Sequence, residues 1–134
     1  MIVVDASAAV DLLAGGARAE RIATRLTGEV ICAPALLDVE VVSALRSLEH
    51  RAKLSPDDCT HALLRLGALN VTRYTHEILA PRMWELRDSL SAYDAAYIAL
   101  AEGLGCPLLT CDERLVRTHG HDVHVESAGG GPVT

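Results

Sequence analysis

Ile2-Val3-Val4-Asp5-Ala6-Ser7 is the stretch from which the fold is read. Three consecutive apolar β-formers end in an acid and a small hydroxyl residue. A short, uninterrupted apolar run marks a strand buried on both faces, as in the interior of a parallel sheet. Ligands of such sheets gather outside the carboxyl ends of the strands. Asp5 therefore stands where chemistry is first expected.

The same pattern recurs outward from that strand. Val30-Ile31-Cys32, closed by Pro34, reads as a second strand, residues 69–74 as a third, Pro107-Leu108-Leu109-Thr110 as a fourth and Val123-His124-Val125 as the last. Helical stretches fill the intervals. One covers 7–13 and breaks at Gly15-Gly16; another covers 17–26 and stops at Gly28. Over 36–48, Leu37, Val41, Ala44, Leu45 and Leu48 keep a helical period. Ser55-Pro56-Asp57-Asp58 supplies an N-cap, a proline at the first helical position and two first-turn acids for a helix running to about Leu66. Further helices are expected over 75–88, 93–102 and 112–117, the second apolar nearly all round and stopped by Gly103 and Gly105. Strands alternating with helices predict an α/β fold: a single domain with a central parallel sheet of about five strands flanked by helices. The domain should span residues 1–126, leaving 127–134 as a disordered tail.

Composition narrows the function classes. Half of the 134 residues are apolar, which excludes a disordered chain and suffices for one core. No apolar run reaches the roughly eighteen residues that span a bilayer. The N-terminus lacks the basic segment of a signal peptide. A cytoplasmic protein without membrane contact is expected. Cys32, Cys59, Cys106 and Cys111 show no zinc-ribbon or redox spacing and are read as small buried hydrophobes. A net charge of −6 argues against binding nucleic acid through overall charge. Eleven of the twelve basic residues are arginine, a bias that fits a GC-rich gene and also suits phosphate forks. The aromatics Tyr74, Trp84, Tyr93 and Tyr97 are too few for a base-stacking platform, and no phosphate-cradling glycine loop is present. His119, His121 and His124 are read as a polar turn rather than a metal site.

Four acids carry the chemical signal. Asp5 and Asp112 each follow a strand, Asp94 lies in the first turn of the buried helix, and Glu40 lies early in the helix after the second strand. Each has a plain alternative. Asp112 serves equally as a helix cap and Asp5 as a brace for its turn. Glu40 shares its helix with Asp38 on the other flank, and periodicity does not choose between them. Asp94 is hardest to explain away, because a carboxylate among Tyr93-Asp94-Ala95-Ala96-Tyr97-Ile98 is desolvated at a cost. The helix dipole offsets only about 1 kcal/mol of it. Together, the acids repel: two charges ~4 Å apart cost about 4 kcal/mol at an effective dielectric of ~20. The only lysine, Lys53, is expected in a distant loop. A hard divalent cation is the natural neutraliser, and carboxylates are the ligands Mg²⁺ and Mn²⁺ prefer. Such a cation activates water for phosphodiester hydrolysis, although the residues do not name the substrate.

Four segments, in this order, resemble the motifs of the PIN domain: Ile2-Val3-Val4-Asp5-Ala6-Ser7, Pro34-Ala35-Leu36-Leu37-Asp38-Val39-Glu40-Val41-Val42-Ser43-Ala44-Leu45, Tyr93-Asp94-Ala95-Ala96-Tyr97-Ile98-Ala99-Leu100-Ala101 and Leu109-Thr110-Cys111-Asp112-Glu113-Arg114-Leu115. The resemblance covers nearly the whole chain and points to the VapC toxins of toxin–antitoxin pairs. It implies a Mg²⁺-dependent endoribonuclease, with Mn²⁺ as a possible substitute, that dimerises and is silenced by a cognate antitoxin. It implies Asp5, Glu40, Asp94 and Asp112 as catalytic metal ligands, with Glu40 rather than Asp38 in the second motif. Ser7 and Thr110 match hydroxyl positions suited to holding metal-bound water. Ser43 departs from the asparagine often found there, which shortens or removes one polar contact. The alternatives are a metal-dependent nuclease or phosphatase acting on another phosphoester, and a non-enzymatic acid-pocket regulatory module. The latter needs a lysine at a late strand end, which this chain lacks.

Overall fold

A computed structural model describes residues 1–129. Five parallel strands form one sheet in the order β3-β2-β1-β4-β5, with β1 Ile2–Val4, β2 Ile31–Pro34, β3 Val71–Tyr74, β4 Leu108–Thr110 and β5 Val125–Ser127. The central strand β1 pairs on both sides, Val3 opposite Cys32 and Leu108. Side chains alternate across the sheet as the strand period demands. Ile2, Val4, Ile31, Ala33 and Leu109 face one core, while Val3, Cys32 and Leu108 face the other. Helices α1 (Ala6–Leu13), α2 (Ala19–Leu26), α3 (Leu36–His50) and α4 (Pro56–Ala68) cover the first face. The second is covered by α5 (Ala80–Glu85), α6 (Ala92–Leu104) and α7 (Glu113–Val116).

Helix α6 is the internal strut. Every residue from Ala95 to Ala101 is buried, which is why its sequence is apolar nearly all round. Ser91 caps it by accepting the Asp94 amide at 3.2 Å. Gly105 ends it in the left-handed conformation, φ 64°, where a side chain is strained. The four cysteines are free thiols, Cys32 and Cys59 buried and the other two partly so.

Three expectations need correction. The helix expected over 75–88 is regular only from Ala80 to Glu85. Pro81 has no amide to give the carbonyl four residues back, and its ring crowds that carbonyl; 76–79 form a turn instead. The last strand lies two residues later than expected, because Val123 spends its amide on His121 Nδ1 at 3.2 Å and the sheet ladder starts at the His124 carbonyl. The domain therefore does not stop at 126. Ser127 is in β5, the Ala128 amide donates to the Thr110 carbonyl at 2.7 Å, and Ala128 is buried in the core. Residues 130–134 of the expected tail lie outside the described residues. No helix among the described residues is long and apolar enough to cross a membrane.

Candidate active site

The carboxyl ends of β1 and β4 meet at Asp5. Its backbone leaves the strand extended and its carboxylate caps α1, accepting the Ala8 amide at 3.0 Å. Two hydroxyls hold the same carboxylate: Ser7 Oγ donates at 2.6 Å and Thr110 Oγ1 at 2.5 Å. Those hydroxyls accept in turn from the backbone of the next loop, Ser7 from the Cys111 amide and Thr110 from the Asp112 amide, both at 2.9 Å. Asp5 is thus locked by both strands and is 7% exposed. Burial raises its pKa against the pull of these hydrogen bonds, and the Asp94 charge raises it further. The sequence reading gave Ser7 and Thr110 a contact through water; here they bond the Asp5 carboxylate directly.

Asp94 sits half-buried at the third position of α6. Desolvation and then the Asp112 charge raise its pKa. Asp112 caps α7, accepting the Arg114 amide at 2.9 Å and the Arg114 guanidinium at 2.8 Å. Burial pushes the Asp112 pKa up, but those bonds outweigh it and hold the group below its ordinary value. Arg114 corrects the picture of a cluster without a cation. It sits two residues after Asp112, within the fourth motif, where the sequence reading gave it no role.

The second motif resolves into two different acids. Asp38 is engaged by Arg73 in a bidentate pair at 2.7 and 2.8 Å, which lowers its pKa. Glu40 has no ion-pair partner among the described residues; its charge is felt instead by Tyr97. The Tyr97 hydroxyl, in a residue only 2% exposed, has no hydrogen-bond partner. Burial first and the Glu40 carboxylate second raise its pKa, with Asp5 and Asp94 contributing. Sequence reasoning passed over Tyr97 as one more core aromatic. Ser43 is exposed.

The donor set suits a hard divalent cation: carboxylate oxygens, two of them on acids that burial makes costly to ionise, above an unsatisfied buried hydroxyl. The acids are not yet gathered around a centre. Among the described residues no three His, Cys, Asp or Glu side chains stand close enough to hold an ion as arranged. Asp5 accepts three hydrogen bonds and keeps a lone pair on Oδ2 for a cation, whereas Asp112 is taken by Arg114, so gathering the acids requires the others to turn toward Asp5. The histidines lie elsewhere: His121 Nε2 meets Thr118 Oγ1 at 2.9 Å, in the turn before β5.

An acid-lined carboxyl edge on a five-stranded parallel sheet is the architecture of a PIN domain, and the PIN domain family model matches residues 2–120. The chain is 42% identical over 126 residues to "Ribonuclease VapC12" of Mycobacterium tuberculosis, covering 94% of this chain and 98% of that protein. It is 46% identical over 118 residues to "Ribonuclease VapC9" of the same organism, covering 88% and 91%. The fold matches that of Mycobacterium tuberculosis VapC20, a "Sarcin-Ricin loop cleaving toxin", with a TM-score of 0.61 and 19% identity over 86% of this chain and 92% of that one. A "Toxin-antitoxin complex from Klebsiella pneumoniae" gives a TM-score of 0.66 at 15% identity, over 96% and 98% of the two chains. The chain belongs to the VapC family of PIN-domain proteins.

Proposed function

We propose that the chain is the toxin of a toxin–antitoxin pair, acting in the cytoplasm as a Mg²⁺-dependent endoribonuclease through Asp5, Glu40, Asp94 and Asp112. One observation carries the assignment of Asp5 and Asp94, while Asp112, paired with Arg114, and Glu40 join them through the family motifs. Asp5 and Asp94 have raised pKa values and no salt-bridge partner among the described residues, whereas Asp38, Glu102 and Glu126 are each held by an arginine. Acids placed at a ligand-binding edge and left short of cations suit a metal centre. The names of the VapC relatives support RNA as the substrate.

A divalent cation bound there supplies positive charge for the phosphoryl transition state and makes bound water more acidic. Asp5 provides a rigid wall, its oxygens fixed by Ser7 and Thr110. Asp94, with its raised pKa, is suited to accept the proton of the attacking water. As the water oxygen bonds phosphorus its proton would pass to Asp94, the bond from phosphorus to the departing sugar oxygen would break, and that oxygen would take a proton from the acid cluster or solvent to leave as a hydroxyl. Arg114, 80% exposed beside Asp112, is placed to contact a phosphate of the RNA once Asp112 turns inward.

The antitoxin reading is supported by an apolar groove of about 430 Å³ lined by Leu12, Leu13, Leu26, Ile31 and Leu69 together with Arg65. That groove suits an apolar helix. The Arg114–Asp112 pair supports the reading that a guanidinium can satisfy an acid of this edge, and an inhibitory segment carrying an arginine would compete with the metal. A homodimer agrees with the exposed Val39 and Val42 on α3, at 67% and 49%.

The test is cleavage of structured RNA by pure protein with Mg²⁺ or Mn²⁺ and with chelator. Cleavage is expected only with metal. Undiminished cleavage in excess EDTA overturns the mechanism, and hydrolysis of DNA or phosphomonoesters in place of RNA favours the other phosphoester reading.

A further inference from the structure

Among the described residues, the Tyr97 hydroxyl is the buried side-chain polar atom left without a partner. Buried phenols ordinarily find one, because an unmet donor is destabilising and phenylalanine fills the same space without it. The position of this one is specific. Tyr97 lies three residues after Asp94 on α6, close to a full turn along the same face. Its ring packs beneath the sheet in the same core as Val3 and Leu108, on the strands that carry Asp5 and Thr110. Glu40 lies near enough to act on the hydroxyl as a hydrogen-bond acceptor as well as by charge, yet short of a formed hydrogen bond, and the Asp5 and Asp94 charges reach it too; these are three of the four acids of the site. A phenol facing carboxylates is a donor and nothing else.

Glu40 is the acid with freedom to answer it. Asp38, two residues earlier, is pinned by Arg73, whereas Glu40 is half-buried and without an ion-pair partner among the described residues. We propose that Tyr97 is a positioning residue whose hydroxyl donates to the Glu40 carboxylate when that side chain turns into the acid cluster, fixing Glu40 as one wall of the cation site. This inference rests on the metal-dependent reading above and deepens it. The unmet donor is then a feature of the metal-free arrangement, and it gains its acceptor when the site assembles.

The test is Mn²⁺ affinity without RNA, followed by electron paramagnetic resonance on the full chain. Tyr97→Phe should bind Mn²⁺ about tenfold more weakly than wild type, the effect of losing one hydrogen bond to a charged group. The loss should vanish in a Glu40→Ala background. Melted in chelator, Tyr97→Phe should be as stable as wild type or more so, since the unmet donor is gone. Equal Mn²⁺ affinity in wild type and Tyr97→Phe, an undiminished loss in Glu40→Ala, or a lower melting temperature in chelator each overturns this inference alone. Wild type that binds no Mn²⁺ overturns it together with the metal-dependent reading. Should Tyr97→Phe fail to fold, ζ-carbon-labelled tyrosine keeps the test open. The resonance that persists in Tyr74→Phe and Tyr93→Phe must shift on Mg²⁺ addition to wild type and stay fixed in Glu40→Ala; no shift in wild type overturns the inference.

Discussion

Around the amino ends of the strands, acids and cations are matched. The Met1 amine donates to Glu29 at 2.8 Å, and Arg25 spans Glu29 at 2.8 Å and Glu126 at 2.7 and 2.8 Å. These bonds hold both glutamates below their ordinary pKa values. At the carboxyl ends, burial raises Asp5 and Asp94, and the nearby cation, Arg114, is spent on Asp112. Both ends are rich in acids, yet only one is balanced. A charge network that serves the fold neutralises itself, while a site that must admit a cation is left short of positive charge.

Substitution at the two ends should break the comparison most visibly. Asp5→Asn is expected to cut single-turnover RNA cleavage in Mg²⁺ by about a thousandfold or more, the scale of losing a preorganised electrostatic group. Glu126→Gln removes an acid held at the other end and should leave the rate within about twofold, since a partly exposed ion pair contributes little. If both substitutions were equally damaging, the imbalance would have no functional meaning.

Arg114→Ala sharpens the comparison by removing the cation held by Asp112. Asp112 would then be free for a metal, and calorimetric titration with Mn²⁺ should show an affinity gain of about 1.5-fold to fivefold, the worth of one exposed ion pair. The folded Asp112 pKa is lowered in wild type. The Arg114 pair therefore stabilises the fold above the ordinary carboxylate range and is lost as pH falls through the lowered value. Arg114→Ala should lose part of that acid-side dependence, the part the guanidinium supplies, since the amide at 114 still caps Asp112. Unchanged or weaker Mn²⁺ binding would show that Arg114 does not compete for Asp112.

Much of this was legible in the sequence because burial writes itself into local pattern. Ile2-Val3-Val4 and Leu108-Leu109-Thr110 are covered on both faces and cannot alternate with polar residues, so strand and edge acid are visible together. What stayed hidden depends on partners distant in the chain. Asp38 and Glu40 look alike on their helix, and Arg73, 35 residues away, is what separates them. Thr110 reaches Asp5 across 105 residues, so its pattern alone does not tell a hydroxyl that serves the acid from a turn residue until β1 and β4 are paired. Tyr97 looks like core because its ring is core; the unmet hydroxyl appears only with the packing in hand. The shortened α5 was readable, since Pro81 stood inside the expected helix.

The smallest effect concerns Asp94 and stability without metal. Its folded pKa lies above its ordinary value of 3.8, through burial first and Asp112 second. The protonated form is the one the fold favours, so this contribution is fully present below the ordinary value and lost as pH rises through the raised one. At pH 8 the metal-free protein carries the whole penalty, reduced by solvent reaching the half-buried carboxylate and by the Arg114 charge. Asp94→Asn keeps the shape and cannot ionise. In chelator at pH 8 it should melt about 1–3 °C above wild type, and the gap should be narrower at pH 5, which lies closer to the raised value. Added Mg²⁺ should raise the wild type more than the variant, because binding stabilises only a fold whose site is intact. Thermal melts of both proteins at the two pH values, with and without Mg²⁺, measure all three differences. A metal-free Asp94→Asn that melts below wild type at pH 8 would make Asp94 a satisfied structural acid, and its place among the cation ligands would fall.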